Sequence, residues 1–269
     1  MQKIILITGS TDGIGKTTAK LLAKNDNKII IHGRNEEKCV NTVNEIIKAA
    51  GNKNIEYVIG DFASLNSVKK MADDVLNKYP YINVLINNAG IYAKNKVLTV
   101  DGFESTFAVN HLAPFLLTGL LLPLLKKGSP SRIINVSSAA HKRAKLDIND
   151  LNLTKSFEHY FAYANSKLAN VLFSNYLAEK VKNKNITVNS LHPGVIGTKL
   201  LKEGFGMKGA GLEEGAATSV YLAESEEINS ISGKYFIDKT EVPSSNVSYK
   251  KELQQKLWEI SEKYTGIKF

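Results

Sequence analysis

The sequence of 269 residues has a single cysteine, Cys39, so no disulfide can form within the chain. A lone cysteine is typical of proteins from a reducing compartment, and we expect a cytoplasmic location with Cys39 as a buried, inert thiol. No repeat, low-complexity tract or Pro/Gly/Ser-rich linker divides the sequence, which argues against a second domain. With 43% apolar residues, residues 1–269 predict one domain with a continuous core.

Arginine and long hydrophobic runs are also scarce. Only three of the 35 basic residues are arginine, and the charges behind the formal net charge of +9 are scattered along the chain. Because no compact basic stripe with interleaved aromatics is present, we expect no nucleic-acid partner. The start, MQKIILITGS, is too short an apolar run for a signal peptide, and FLLTGLLLPLL at residues 115–125 is too short for a bilayer span. We therefore predict a soluble protein, and we expect no metal site.

Short β-branched runs alternate with longer segments of helical periodicity, a pattern typical of a parallel sheet covered by helices on both faces. The predicted strands are residues 3–8, 28–33, 55–60, 82–87, 132–137, 186–191 and, more weakly, 234–236. The predicted helices are residues 14–25, 36–50, 65–79, 103–126, 157–183, 213–223 and 249–264. The sequence therefore predicts a single Rossmann-type, doubly wound α/β domain with about seven mostly parallel strands. The glycine-dotted stretch 202–211 is expected to be a mobile loop.

A glycine-rich turn follows the first predicted strand and begins the first predicted helix. Backbone N–H groups of such a turn and the helix N-terminus can face the pyrophosphate of a dinucleotide, while the glycines allow close approach. A plain tight turn would contain the same glycines, but the position after the first strand favours the cofactor interpretation. The candidate residues are Thr8, Gly9, Ser10, Thr11, Asp12, Gly13, Ile14 and Gly15.

The second predicted strand ends in IHGRN, where an NAD-binding fold usually places an acidic residue for the adenosine ribose. Here Arg34 and Asn35 follow Gly33, so no carboxylate repels a 2′-phosphate and a guanidinium can hold it. We therefore predict NADP(H) and disfavour NAD(H); the alternative for Arg34 is a solvated charge at a strand end. The ends of the third and fourth strands add candidates at the same sheet edge, namely Asp61, Phe62, Asn88, Ala89 and Gly90.

The spacing Tyr-x-x-x-Lys places both side chains on one helix face, where an ammonium lowers the pKa of a phenol. The chain holds five such pairs among its 11 tyrosines, so the spacing alone does not choose between them. Only Tyr163 begins a long predicted helix, belongs to the sequence YANSK and follows a strand that ends in Ser137 and Ser138. We therefore predict Tyr163 and Lys167 as the chemical pair. The other tyrosines are expected to be structural, namely Tyr92, Tyr176, Tyr235 and Tyr264.

Six motifs occur in the order seen in one known family. TGSTDGIG, NNAG, VNHLAPFLLT, RIINVSS, YANSK and HPGVIGT lie within residues 8 to about 236, and through them the chain resembles the short-chain dehydrogenase/reductase family. The resemblance implies that Ser138 hydrogen-bonds the substrate oxygen and that Tyr163 passes the proton. It implies that Lys167 lowers the pKa of this tyrosine and holds the nicotinamide ribose, while Asn110 holds a water of a proton relay.

The resemblance extends to a segment that contacts the nicotinamide carboxamide, here Pro193, Gly194, Ile196 and Thr198. The chemistry agrees with it, because hydride transfer from a reduced nicotinamide builds negative charge on a carbonyl oxygen. A serine and a tyrosine supply the hydrogen-bond donor and the proton that this oxygen needs. The alternatives are local backbone capping for Ser138 and a structural amide for Asn110.

Ser138 and Tyr163 are 25 residues apart, whereas about a dozen is common in the family. The additional residues 139–162, together with NHLAPFLLT and SKLAN, resemble the retinol-dehydrogenase-like branch, which favours lipophilic aldehydes, ketones and alcohols. We expect substrate to lie against this loop and residues 199–212. Because the chain lacks the hydrophobic anchor of membrane-tied members, we prefer a soluble carbonyl reductase to a retinoid enzyme.

Two other functions stay open. A nucleotide-sugar epimerase would share the Tyr/Lys pair but usually has a larger C-terminal domain, whereas about 75 residues follow Gly194 here. A catalytically silent NADP-binding regulator would keep the glycine turn and lose a member of the tetrad that the resemblance implies, which is Asn110, Ser138, Tyr163 and Lys167.

The predicted helices that carry Asn110 and Tyr163 are strongly apolar and hold more hydrophobic surface than one sheet face is expected to cover. We therefore expect a homodimer or homotetramer through these helices. Burial of the same surface within one chain is the alternative.

Overall fold

The β-branched runs of the sequence form one central sheet. The structure, a computed structural model, describes residues 2–269. All seven predicted strands are confirmed, but a two-residue strand at the sheet edge makes the predicted number one too low, because two residues carry too little alternation to be recognised. The strands are Ile4–Ile7 (β1), Lys28–Gly33 (β2), Ile55–Ile59 (β3), Val84–Asn87 (β4), Ser131–Val136 (β5), Ile186–His192 (β6), Tyr235–Ile237 (β7) and Thr240–Glu241 (β8).

The strands lie in the order β3-β2-β1-β4-β5-β6-β7-β8, and β7 and β8 form the antiparallel pair. The chain runs outward from β1 to β3 and then returns to place β4 on the other side of β1. In open α/β sheets the ligand crevice lies outside the carboxyl ends of the strands at such a reversal. The predicted doubly wound, Rossmann-type fold is therefore confirmed, and the crevice is expected between the ends of β1 and β4.

Helices cover both faces of the sheet, as the sequence predicts. Side-chain caps help to set their starts: Asp12, Asn35 and Ser64 each accept a backbone N–H at the beginning of the helix that follows. The helices are Gly13–Ala23 (α1), Glu36–Ala50 (α2), Leu65–Lys78 (α3), Ser105–Phe107 (α4), Ala113–Lys127 (α5), His159–Lys180 (α6), Lys199–Phe205 (α7), Leu212–Glu224 (α8) and Lys251–Thr265 (α9).

Two expectations about helices were wrong. The stretch 202–211 was predicted as a loop, but residues 202–205 belong to α7. The closely spaced glycines of this stretch weaken the helical pattern in the sequence. The helix predicted over residues 103–126 is interrupted by a π turn at Ala108–Leu112, between α4 and α5. The residue four positions after Asn110 is Pro114, which has no N–H group, so the carbonyl of Asn110 cannot receive the usual α-helical bond.

The apolar surfaces of α5 and α6 are covered within the same chain. Trp258 of α9 packs on Phe115 and Phe173 with ring centroids 5.0 and 6.0 Å away, and the C-terminal Phe269 packs 4.9 Å from Phe115. The segment Ser105–Lys127 is apolar and long enough to cross a membrane, but 83% of its most hydrophobic window is buried inside this fold. The apolar surface of these helices therefore does not require a second copy of the chain to cover it, contrary to our expectation. The homodimer or homotetramer stays a prediction.

Candidate active site

The glycine turn after β1 lies directly against the turn after β4. Gly9 and Gly13 have positive φ angles of 63° and 54°, which glycine adopts without strain. A Cβ atom on Gly9 would lie 2.7 Å from the Cα of Ala89, and one on Gly15 would collide with the side chain of Asn88. Glycine is therefore required at Gly9 by packing and by backbone conformation, and at Gly15 by packing alone.

Hydrogen bonds join these two turns. The Thr8 hydroxyl accepts the N–H groups of Asn88 and Ala89, both at 3.0 Å, and the Asn88 amide donates to the carbonyls of Thr8 and Gly9 at 2.8 and 3.1 Å. Ser10 extends this network, because its hydroxyl donates to the carbonyl of Ile7. The predicted residues of both motifs thus form one rigid rim at the strand reversal.

A residue that the sequence analysis missed, His32, completes the rim. The N–H of Gly9 donates to its Nδ1 at 3.0 Å, so its Nε2 carries the hydrogen and donates to the carbonyl of Gly60 at 2.9 Å. Burial lowers the pKa of His32 to about 4, which keeps the imidazole neutral. Phe62 stacks on it at 4.5 Å and is only 4% exposed, so the ring of Phe62 supports the rim from below. A histidine at a strand end, just before Gly33, was the available signal.

The end of β2 presents the predicted phosphate ligand. Arg34 is exposed, and within residues 2–269 it forms no ion pair. Asn35 accepts the N–H of Lys38 at 2.9 Å as the cap of α2, so its side chain is already engaged. Asp61, after β3, is exposed and accepts the N–H of Ala63. An exposed guanidinium beside a helix N-terminus suits a 2′-phosphate.

Asp12 at the start of α1 carries a negative charge toward the place where a pyrophosphate would lie. Its carboxylate accepts the N–H of Gly13 at 2.8 Å and pairs with Lys199 of α7 at 3.0 Å. Burial alone would raise the pKa of Asp12, but the bonds to Lys199 and Gly13 outweigh it and the pKa is lowered. Lys199 thus offsets this charge and joins α7 to the glycine turn. The glycine cradle, the helix N-terminus and Arg34 together fit a phosphorylated dinucleotide.

The chemical residues meet at the carboxyl end of β5. Lys167 is 3% exposed, donates to the carbonyl of Val136 at 3.1 Å, and lies 5.5 Å from the ring centre of Tyr163. The Ser138 hydroxyl lies close enough to Tyr163 to lower the pKa of its phenol, and it accepts the N–H of Ala140 at 3.2 Å. A Cβ atom on Gly90 would lie 3.3 Å from the ammonium nitrogen of Lys167, which places the NNAG turn against this cluster.

The pKa of Tyr163 is raised, whereas the Tyr-x-x-x-Lys spacing predicts that it is lowered. Burial raises the pKa of Tyr163 to about 12, although the nearby Ser138 hydroxyl acts in the opposite direction. Burial also lowers the pKa of Lys167 to about 8. In the protein alone, burial therefore outweighs the lowering of the tyrosine pKa that the Tyr-x-x-x-Lys spacing predicts. Tyr163 is protonated at neutral pH, which is the form that donates a proton.

Asn110 lies in the π turn, but its side chain is not free to hold a water through its amide hydrogens. Its Nδ2 donates to the carbonyl of Ile91 at 3.0 Å and to the Ser166 hydroxyl at 2.9 Å, while its Oδ1 accepts the N–H of Ile91 at 2.8 Å. The main-chain carbonyl, which lacks its α-helical donor because of Pro114, is the better acceptor for a water. Asn110 therefore joins the π turn to the segment after NNAG.

Aromatic rings from three segments form a wall beside Tyr163. Tyr92 lies 5.3 Å from the ring of Tyr163, and Phe205 of α7 lies 4.7 Å from Tyr92 and 5.8 Å from Tyr163. The hydroxyl of Tyr92 is hydrogen-bonded to Nδ1 of His159 at 2.6 Å. Tyr92 was predicted to be structural. Its position two residues after NNAG was the sequence signal for a role at the site. We call Tyr92, Tyr160 and Phe205 the aromatic wall.

The predicted nicotinamide segment follows β6. Gly194 has a positive φ angle of 95°, and Ile196 is 5% exposed against Gly215 of α8. The hydroxyl of Thr198 accepts the N–H of Leu201 and so caps α7, while its methyl group would meet a Cβ atom on Gly13 at 3.6 Å. Pro193 is half-buried at the strand end. This segment therefore connects the glycine turn with the aromatic wall.

The fold and site define a class: Rossmann-type proteins in which a dinucleotide crevice and a buried Tyr/Lys pair share one sheet edge. The family model described as "short chain dehydrogenase" matches residues 3–208. The chain belongs to the short-chain dehydrogenase family of oxidoreductases, in agreement with the resemblance seen in its motifs.

Individual relatives are similar over nearly the whole chain. Human retinol dehydrogenase 14 is 39% identical, with 98% of this chain and 87% of the relative covered. A crystal structure of a putative uncharacterized protein from Mycobacterium paratuberculosis is 30% identical, with a TM-score of 0.84, and covers 100% of this chain and 95% of its own. A short-chain dehydrogenase from Escherichia coli CFT073, solved with NADPH, has a TM-score of 0.74 at 24% identity, with 88% and 97% covered.

Proposed function

We propose that the chain transfers a hydride between NADP(H) and the carbonyl or alcohol carbon of a small lipophilic aldehyde, ketone or secondary alcohol. The observation that carries this proposal is the cluster of Ser138, Tyr163 and Lys167 next to Gly90, at the sheet edge where the glycine turn also lies. When bound, reduced nicotinamide supplies the hydride. The chain then has to place the carbonyl, stabilise its oxygen and deliver one proton.

Ser138 and Tyr163 have the groups that the carbonyl oxygen requires. The Ser138 hydroxyl lies close enough to Tyr163 to lower its pKa, so both hydroxyls can donate to the same oxygen as negative charge develops on it. Tyr163, protonated because its pKa is about 12, delivers the proton in the direction of reduction. The buried ammonium of Lys167 lies close enough to stabilise the tyrosinate that remains. Asn110 holds the π turn whose carbonyl receives the proton-relay water.

Two observations support NADP(H) over NAD(H). The end of β2 carries the exposed Arg34 and no carboxylate, and a guanidinium pairs with a 2′-phosphate in a bidentate manner. The E. coli structure of the same fold was solved with NADPH.

The aromatic wall supports a lipophilic substrate. The ring of Phe205 lies 4.7 Å from that of Tyr92 and 6.3 Å from that of Tyr160, next to Tyr163. Such a surface favours an apolar group next to the carbonyl over a charged or sugar-like one. The name of the human relative, retinol dehydrogenase 14, agrees with this class. We keep the prediction of a soluble, cytoplasmic carbonyl reductase, and a homodimer or homotetramer as its assembly.

The experiment measures the oxidation of NADPH and NADH by the purified chain with a panel of aldehydes, ketones and quinones. We expect turnover with NADPH, and a higher kcat/KM for long-chain and aromatic aldehydes than for short or hydroxylated ones. A chain that binds NADPH but turns over no carbonyl compound, and oxidises no alcohol with NADP⁺, would instead support the silent regulator.

A further inference from the structure

The last part of the chain reaches two buried histidines that the proposed mechanism does not use. We call residues 244–269, which contain α9, the C-terminal segment. His141 follows Ser138 in the turn after β5, and His111 follows Asn110 in the π turn. Each histidine is 1% exposed, so neither can meet substrate or solvent. Each is hydrogen-bonded to the C-terminal segment.

The bonds of His141 determine which of its nitrogens carries the hydrogen. The backbone N–H of Ser245 points at Nε2 from 3.0 Å, and an N–H can only donate, so Nε2 is the acceptor. The hydrogen therefore lies on Nδ1, which donates to the carbonyl of Ser138 at 2.7 Å. Tyr235 packs on this imidazole at 4.8 Å. The main chain of Ser138 is thus tied to the C-terminal segment through one neutral ring.

The bonds of His111 likewise determine which of its nitrogens carries the hydrogen, and here it is Nε2. The Ser261 hydroxyl donates its single hydrogen to the carbonyl of Leu257 at 2.8 Å. Its oxygen can therefore only accept from Nε2 of His111, which lies 2.9 Å away. Burial lowers the pKa of His111 to about 3, so this donor stays neutral at every working pH. The π turn of Asn110 is thus also tied to the C-terminal segment.

The packing of the C-terminal segment keeps these bonds in place. A Cβ atom on Gly119 of α5 would lie 2.6 Å from Ile267 and 2.8 Å from Phe269, so glycine at this position allows the tail to lie flat on α5. Trp258 is 4% exposed between α5 and α6. The segment therefore packs on the two helices that carry the reactive residues, and a shift in it would be transmitted to both histidines.

We propose that the C-terminal segment positions the active site, with His141 holding Ser138 and His111 holding the turn of Asn110 in their reactive geometry. His141 and His111 are positioning residues: they act through their neighbours and touch neither substrate nor cofactor. This inference rests on the proposed roles of Ser138 and Asn110. It assigns a function in turnover to residues that lie behind the catalytic cleft.

The test uses pairs of variants that differ in one hydrogen bond. His141→Leu removes the donor to Ser138, whereas His141→Asn keeps an amide N–H near the position of Nδ1. His111→Leu removes the donor to Ser261, whereas His111→Gln keeps an N–H near Nε2. Thr265→Val is the matched control, because this buried hydroxyl in the same helix bonds only to the carbonyl of Ser261.

We expect His141→Leu to lower kcat about 10- to 30-fold and His111→Leu about 3- to 10-fold, because small displacements of reactive groups cost large factors in rate. The KM for NADPH should stay within about twofold, since the glycine turn is untouched. His111→Gln and Thr265→Val should keep kcat within about threefold of wild type. His141→Asn, which keeps a donor to Ser138 but loses the acceptor of the Ser245 N–H, should lie between wild type and His141→Leu. Adding Ser261→Ala to His111→Leu should cause no further loss, because both remove the same bond.

Thermal unfolding and NADPH titration of each variant separate folding from positioning. A Leu variant that stays folded, binds NADPH and keeps wild-type kcat would overturn the inference while leaving the proposed function intact. Loss of kcat in Thr265→Val equal to that in His111→Leu would also overturn it, because the effect would then follow stability alone. If His141→Leu does not fold, the kcat of His111→Leu relative to that of His111→Gln tests the inference instead. Equal kcat values for these two variants would overturn it. A wild-type chain without turnover on any carbonyl or alcohol would overturn both proposals.

Discussion

The cofactor side and the substrate side of the cleft are held together by different kinds of contact. On the cofactor side, Thr8, Gly9 and Asn88 join neighbouring parallel strands through backbone groups and short polar side chains. On the substrate side, Tyr92 from the loop after β4 and Phe205 from α7 reach Tyr163 through ring packing. Substitutions on the cofactor side should therefore change cofactor binding, and substitutions on the substrate side should change the KM for the carbonyl compound. Substitutions where the two sides meet should change kcat.

The largest effect is expected where the two sides meet. Tyr163→Phe removes the transferable proton and keeps the ring, so turnover should fall by about 10² to 10⁴ while NADPH binding persists. Steady-state rates and NADPH fluorescence titration measure the two quantities. Tyr176→Phe is the control, because this tyrosine has the same spacing to a lysine but packs on Trp258. Near-wild-type turnover of Tyr163→Phe would remove this residue from the mechanism.

The next largest effect lies on the cofactor side. Arg34→Asp removes a charge-assisted pair with the 2′-phosphate and adds a repulsive charge, so the ratio of kcat/KM for NADPH over NADH should fall about 10- to 100-fold. Lys38→Asp makes the same change in charge at another exposed position nearby and should leave most of the ratio intact. A wild-type chain that binds NADH as tightly as NADPH at moderate salt would show that Arg34 is a solvated charge.

A smaller effect is expected on the substrate side. Phe205→Ala removes one ring of the aromatic wall, so the KM for an aromatic or long-chain aldehyde should rise about tenfold, with little change for acetaldehyde. Tyr92→Phe loses only the bond to His159 and should change this KM less than about threefold. Met207→Ala, at a residue that is 51% exposed just beyond α7, is the control. An equal rise in KM for large and small aldehydes would argue against an apolar subsite.

The smallest effect concerns the pH dependence of stability on the cofactor side. The pKa of His32 is about 4 because of burial, well below the ordinary value near 6.5, so the folded state binds this proton less readily than the unfolded chain. The stability contributed by neutral His32 is therefore present above about pH 6.5 and is lost as pH falls toward 4. In Tm measurements from pH 7.5 to 4.5, His32→Gln should show a shallower fall than wild type. Equal slopes would mean that His32 does not stay neutral in the folded protein.

Most of the cofactor side could be predicted from the sequence because its determinants are local. Glycines with positive φ angles, a capping Asp12 and the residues that follow β1, β2 and β4 are each recognisable within a few positions of a strand end. The parallel order of the strands then brings them to one edge. His32 was missed because its sequence signal, a histidine just before Gly33 at a strand end, does not show that the side chain bonds two separate turns.

Much less of the substrate side, and of the contacts that hold the tetrad in place, could be predicted from the sequence. The sequence predicted Ser138, Tyr163 and Lys167, but burial, which depends on the whole fold, decided the pKa values of the tyrosine and the lysine. The π turn was hidden within a uniformly apolar helix pattern, although Pro114 was visible as its local cause. The apolar patterns of α5 and α6 could not show whether another copy or the same chain would cover them.

The sequence by itself determined the family, the doubly wound sheet and the positions of the cofactor turn and the Tyr/Lys pair, because these depend on hydrophobic periodicity and on motifs of a few residues. Only the tertiary structure decided that Phe205 and Tyr92 lie beside Tyr163, and that residues 244–269 reach His141 and His111. Such contacts join residues far apart in the chain. Their partners are selected by how whole helices and loops pack, which no local pattern records.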